Sequence, residues 1–148
     1  SLDPALKAWV QKLPADVNFV RMPVVFGRSW EMHARMFWVA KNLGLLETIH
    51  EPLFHAIHRE GQRLQRVDEV IAFFEQFGAD PAVVKRELDG FATESALRLA
   101  DARVRAYGIQ GVPALVVNGR YVTGVSQAGG ESQLFALLNE LIETSRQQ

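Results

Sequence analysis

Helical spacing of apolar residues dominates the chain. Apolar side chains recur every three or four positions in most segments, and polar residues occupy the positions between them. Asp, Ser and Pro mark the helix starts, and Gly marks the helix ends, because these residue types are preferred there. The helices predicted in this way span residues 4–12, 29–43, 45–50, 52–59, 69–77, 81–88, 91–107 and 131–144. Their predicted N-caps include Asp3, Ser29, Asp68 and Asp80.

Three short segments, 17–22, 114–117 and 120–123, favour strands instead. Asn118-Gly119 joins the last two, and this dipeptide predicts a tight hairpin because both of its residues tolerate positive φ. The strand before the turn is almost wholly apolar, so we expect it to be buried on both faces. The strand after the turn alternates polar and apolar residues, as an outer strand does. Residues 125–130 are predicted to form a loop, and residues 145–148 are expected to fray.

Several motifs together resemble one known family. They are Leu2-Asp3-Pro4-Ala5-Leu6, Lys12-Leu13-Pro14, Pro23-Val24-Val25-Phe26-Gly27, Gly111-Val112-Pro113-Ala114 and Val117-Asn118-Gly119-Arg120-Tyr121. Their order resembles the DsbA family of bacterial thiol:disulfide oxidoreductases. The resemblance implies an α/β, thioredoxin-like fold with an inserted helical domain. It divides the chain into a partial thioredoxin-like domain, residues 1–28 and 89–148, and a helical insertion, residues 29–88.

The resemblance also implies a substrate-binding segment, Gly111, Val112 and Pro113. In the family the bond corresponding to Val112-Pro113 is cis and lies against an active-site cysteine pair, and the residue before the proline pairs with an extended substrate. We expect Gly111 to allow close approach of the chain there. By the same register, a Cys-x-x-Cys motif is expected upstream of Ser1. The N-terminal strand and the active-site loop would then be absent from this chain, and segments 17–22 and 114–117 would lack their shared neighbouring strand.

Composition limits the possible functions. The chain has 148 residues, of which 48% are hydrophobic and 22% charged, with a formal net charge of −1. This suits one soluble domain and gives no indication of nucleic-acid binding. No apolar run reaches the ~20 residues that span a bilayer, and the N-terminal residues do not resemble a signal peptide. The chain contains no cysteine, so it has no disulfide or thiol nucleophile of its own.

Three functions remain open. The resemblance favours disulfide formation in exported, periplasmic proteins by a parent protein whose cysteine pair precedes Ser1, with the cysteine-free chain itself not redox-competent. It implies extended thiol-bearing polypeptides as substrates, a membrane redox partner that reoxidises the enzyme, a monomer and no cofactor. The alternatives are a cysteine-free peptide-binding module and an enzyme similar to the kappa-class glutathione transferases and related isomerases. The residues upstream of Ser1 discriminate among the three.

A cluster of histidines is a candidate metal site. His50, His55 and His58 lie close in sequence, near Glu51 and Glu60. His55 and His58 are three residues apart on one predicted helix, which is a possible ligand spacing. Pro52 separates His50 from that helix, and no further ligand follows at a suitable distance. We therefore expect solvated histidines and no metal.

Overall fold

The computed structural model describes residues 2–148 and consists mainly of helices with a small sheet. The elements in chain order are α1 (Asp3–Gln11), α2 (Arg28–Asn42), α3 (Leu46–His58), α4 (Val67–Glu75), α5 (Pro81–Leu88), α6 (Phe91–Ala106), β1 (Leu115–Val117), β2 (Tyr121–Thr123), α7 (Val125–Ala128) and α8 (Glu131–Arg146). They form two compact units, one of residues 2–22 and 104–148 and one of residues 23–103. The boundary between the units therefore falls within α6.

The unit of residues 23–103 has an aliphatic and aromatic core. Helices α2, α3, α4 and α5 bury their apolar stripes against one another, as their spacing predicts. The buried members are Met36, Val39, Ala40, Ile49, Ala56, Leu64, Val70, Phe73, Phe74, Val84 and Leu88. This core explains why the two helices predicted at 45–50 and 52–59 form a single helix, α3. Pro52 costs about 3 kcal/mol inside a helix, but residues on both sides of it are anchored in the core.

The unit of residues 2–22 and 104–148 contains the hairpin. Strand β1 pairs with β2 in antiparallel register, with Val117 opposite Tyr121. Asn118 and Gly119 have φ values of 53° and 66°, so the predicted hairpin turn is confirmed. Helix α8 packs against both β1 and α7, and its inner residues Leu134 and Leu138 are fully buried.

The prediction that the first strand of the hairpin is buried on both faces is wrong. All three residues of β1 are only half-buried, because among the described residues β2 is the only strand paired with it. In β2 the apolar Val122 is 45% exposed, whereas the polar Thr123 is buried. The register places Thr123 opposite Leu115.

Other local predictions also need correction. Residues 17–22 form no strand, because a strand is defined by backbone hydrogen bonds to a neighbour and the described residues supply none there. Residues 125–128 form helix α7 where a loop was predicted, and α8 continues through Arg146 where fraying was expected. A bidentate hydrogen bond from Arg146 to Asp16, at 2.7 and 3.0 Å, holds this end of the chain.

The predicted N-caps were correct at one position. The Asp80 side chain accepts a hydrogen bond from the Ala82 backbone N–H at 2.8 Å and caps α5. Asp3, Ser29 and Asp68 instead lie within the first turn of their helices. Asp3 uses its carboxylate to bind Arg21, at 2.9 Å.

Candidate functional site

The predicted substrate-binding segment, residues 111–113, lies immediately before β1 and is exposed along its whole length. We call it the edge segment. The Val112-Pro113 peptide bond is cis, which confirms the isomer that the family resemblance implied. The Val112 side chain is 46% exposed. Among residues 2–148, no backbone hydrogen bond occupies the N–H or the C=O of Val112. This residue therefore offers both main-chain groups to an external partner.

A surface pocket of about 350 Å³ adjoins the edge segment. Its wall comprises residues 108–114, Val122, Thr123 and residues 125–127. The hairpin accounts for this arrangement, because the pairing of Leu115 with Thr123 brings the start of β1 beside the end of β2. The chain then turns into α7, which closes the far side of the pocket. Every residue of this lining is uncharged.

Gly124 allows the two sides of the pocket to lie close together. A Cβ atom added to Gly124 would lie 3.2 Å from the Pro113 carbonyl oxygen and 2.7 Å from Oε1 of Gln127. The backbone of Gly124 is extended, with φ of −165°, so its role is to provide space and not an unusual conformation. Sequence reasoning missed Gly124, Val122 and Gln127. The sequence feature that could have indicated this close approach is the glycine directly after β2, Gly124.

No described residue lies against Gly111. A Cβ atom added there would meet no atom within 4 Å, and φ at Gly111 is not positive. Neither close packing nor backbone conformation within the described residues therefore requires glycine.

The candidate metal-binding histidines have other partners. His55 Nδ1 lies 3.1 Å from Glu60 Oε1, and the His58 ring packs on Phe54 with a centroid distance of 4.4 Å. Within the described part of the chain, no three His, Cys, Asp or Glu side chains converge in a way that could hold a metal ion. The kappa-class alternative depends on residues upstream of Ser1, and Ser1 itself lies outside the described residues.

The fold and the site define a class of protein: a thioredoxin-like protein with a small sheet, a large helical part and an exposed cis-proline segment. Comparison with known proteins narrows this class. The sequence model of the DSBA-like thioredoxin domain matches residues 2–141. The chain belongs to the DsbA family of thiol:disulfide oxidoreductases, as its motifs indicated.

Individual relatives agree with this assignment. The thiol:disulfide interchange protein DsbA of Pseudomonas aeruginosa is 35% identical over 146 residues, which cover 99% of this chain and 69% of that protein. DsbA of Azotobacter vinelandii is 34% identical, covering 97% of this chain and 67% of that protein. The crystal structure of the Pseudomonas aeruginosa protein superposes with a TM-score of 0.91, covering 98% of this chain and 76% of the other.

A more distant structure supports the same fold. The oxidoreductase DsbA of Xylella fastidiosa is 28% identical, with a TM-score of 0.90, covering 99% of this chain and 79% of that one.

Within residues 2–148, no helix combines the length and the apolar character that a membrane span requires.

Proposed function

We propose that this chain provides the peptide-binding part of a periplasmic thiol:disulfide interchange protein. Its substrates are extended, thiol-bearing polypeptides, which bind along Gly111, Val112 and Pro113. The observation that carries the proposal is the exposed, unpaired backbone of Val112 beside an open pocket. An extended peptide that pairs with Val112 would add a strand next to β1, a recurring mode of peptide recognition.

The exchange chemistry requires cysteines that this sequence does not contain. In thiol–disulfide exchange, a thiolate attacks one sulfur of a disulfide, a mixed disulfide forms and the second sulfur leaves as a thiolate. With no cysteine among its 148 residues, the chain alone is not redox-competent in this proposal. A Cys-x-x-Cys motif outside this sequence would supply the reactive sulfurs, and the edge segment would hold the substrate beside them.

The remaining features of the family proposal follow from this role. Residues 1–28 and 89–148 would form the thioredoxin-like part and residues 29–88 a helical insertion that contributes packing and carries no catalytic group. In this proposal the protein is a monomer and uses no cofactor. A membrane redox partner reoxidises it.

A second candidate follows from the cysteine count. A chain without cysteine suits a peptide-binding module that uses the same edge segment without redox chemistry. Intact mass and thiol titration of the protein isolated from its source separate the two. A mass well above 16.6 kDa together with two titratable thiols favours the interchange protein. A protein of any mass without thiols favours the binding module.

Peptide binding itself is tested with two substitutions in the site. In Gly111→Ala, the added methyl group meets no protein atom and should leave thermal stability nearly unchanged, but it occupies space that the peptide needs. In Val122→Ser, an exposed apolar contact is removed from the pocket wall. Each should weaken binding of a fluorescently labelled, extended peptide by roughly three- to tenfold, equivalent to about 0.7–1.4 kcal/mol.

Val20→Ser is the matched control, because Val20 is 56% exposed and does not line the pocket. It should leave peptide affinity unchanged. If Gly111→Ala and Val122→Ser bind the peptide as tightly as the unmodified chain does, residues 111–113 are not the substrate segment.

A further inference from the structure

The chemical composition of the pocket beside the edge segment affects which substrates the pocket can bind. It is formed by backbone, aliphatic side chains and neutral polar groups, with no charged residue in its wall. A charged side chain entering such a pocket loses hydration without gaining a charged partner, which costs free energy. A neutral side chain loses little and gains contact with Val122 and Val125.

Gln127 holds a defined position at the rim of this pocket. It is the third residue of α7, and the residue that precedes the helix is Gly124. Its amide oxygen would lie 2.7 Å from a Cβ atom added to Gly124, so the side chain folds back over that glycine. The residue is exposed and also lines the pocket. Val112 and Gln127 line the same pocket, so a peptide that pairs with Val112 would enter the pocket whose wall includes this amide.

We propose that Gln127 is a specificity-determining residue, and that with the uncharged pocket it selects peptides whose residues next to the cysteine are neutral. This inference rests on the proposed peptide-binding function and specifies its substrate class. The amide of Gln127 can donate and accept hydrogen bonds without attracting either sign of charge. Replacement by Glu keeps nearly the same shape and adds one negative charge, so the charge preference of the pocket should change with little change in its form.

The chain contains a close structural match that serves as a control. Gln133 is likewise the third residue of its helix, α8, and the preceding residue is Gly130. Its Oε1 would lie 2.5 Å from a Cβ atom added to Gly130. Gln133 is exposed but does not line the pocket. Gln133→Glu therefore reproduces the helix position, the folded-back side chain and the change in net charge, but away from the site.

The test measures fluorescence anisotropy of labelled peptides of about seven residues, a length that suits strand addition. Each peptide carries serine in place of the cysteine, flanked on both sides by Val, by Asp or by Lys. The unmodified chain should bind the Val peptide roughly tenfold more tightly than either charged peptide. In Gln127→Glu the Lys peptide should bind roughly fivefold more tightly and the Asp peptide roughly fivefold more weakly, each the effect of one charge pair about 4 Å apart in water. The ratio of Lys-peptide to Asp-peptide affinity should therefore rise roughly 25-fold. The ratio should return toward its original value at about 1 M salt.

The outcomes separate this inference from the function on which it rests. If no peptide binds, the proposed function and the inference both fail. If the unmodified chain binds the Asp or Lys peptide as tightly as the Val peptide, the inference alone fails. It also fails if Gln127→Glu leaves the Lys-to-Asp ratio unchanged, or if Gln133→Glu shifts that ratio equally. Far-UV circular dichroism of both variants verifies that the helices are retained.

Discussion

Gly124→Ala tests the close approach that shapes the pocket. The new methyl group would lie 2.7 Å from Oε1 of Gln127, the end of a flexible side chain that can turn away, and 3.2 Å from the Pro113 carbonyl oxygen. That carbonyl must move by a few tenths of an ångström. Overpacking of this kind costs typically about 1–3 kcal/mol. Alanine also lowers the conformational entropy of the unfolded chain, which stabilises the folded state by about 0.4–1 kcal/mol. This gain applies at position 124 because any residue can adopt its extended φ. We expect a net loss of about 1 kcal/mol in the free energy of unfolding.

Gly27→Ala provides the comparison that isolates this contact. Gly27 also precedes a helix, and its φ of −165° equals that of Gly124. A Cβ atom added to Gly27 meets nothing within 4 Å, so any effect of replacing glycine at a helix start is common to both variants. Urea unfolding followed by circular dichroism gives the two stabilities. If both variants change stability by the same amount, the contact between residue 124 and the Pro113 carbonyl has no energetic importance and the explanation for Gly124 is wrong.

Two further predictions concern ion pairs. Arg35→Met should lower stability by about 2 kcal/mol in urea unfolding, because its partly buried guanidinium donates to Glu94 at 2.6 Å and to the last carbonyl of α5 at 2.8 Å. Arg66→Met, which removes an exposed ion pair, should cost less than about 0.5 kcal/mol. Equal losses in the two variants would contradict this reasoning. Hydrogen bonding from Arg146 lowers the pKa of Asp16 below 3.8, so the pair stabilises the fold above that pH and the contribution is lost as pH falls through the lowered pKa. Asp16→Asn should therefore reduce the melting temperature at pH 6, and its effect should become smaller as the pH falls into the range where Asp16 is protonated. A larger effect in acid would refute the assignment.

The hairpin could be predicted because its signals are local. Asn118-Gly119 specifies a turn through the conformations those two residues allow, and no distant contact needs to be known. The burial of its strands could not be predicted in the same way. Val122 is exposed and Thr123 is buried, and the polar and apolar alternation of the strand does not encode which of its faces is covered.

Helix boundaries show the same division between local and tertiary effects. Asp80 caps α5 as predicted because Pro81 follows it and fixes the start of the helix. Ser29 and Asp68 are equally good capping residues, but each helix begins earlier, so that they lie within its first turn. Pro52 gave the clearest local signal for a break, and the core contacts of Ile49 and Ala56 on either side of it outweighed that signal.

The candidate site combines both kinds of information, which is why only half of it was found. Gly111, Val112 and Pro113 were identified from a short motif, and the structure places them in one exposed segment. The opposite wall, with Val122 and Gln127, was predicted to be a strand edge and a loop without a role. Its contribution depends on the turn of α7, which brings a side chain near the edge segment from more than ten residues away in sequence. In the proposed function, the family motif identifies where the peptide binds, whereas the proposed specificity residue, Gln127, lies on the part of the pocket that the motif does not include.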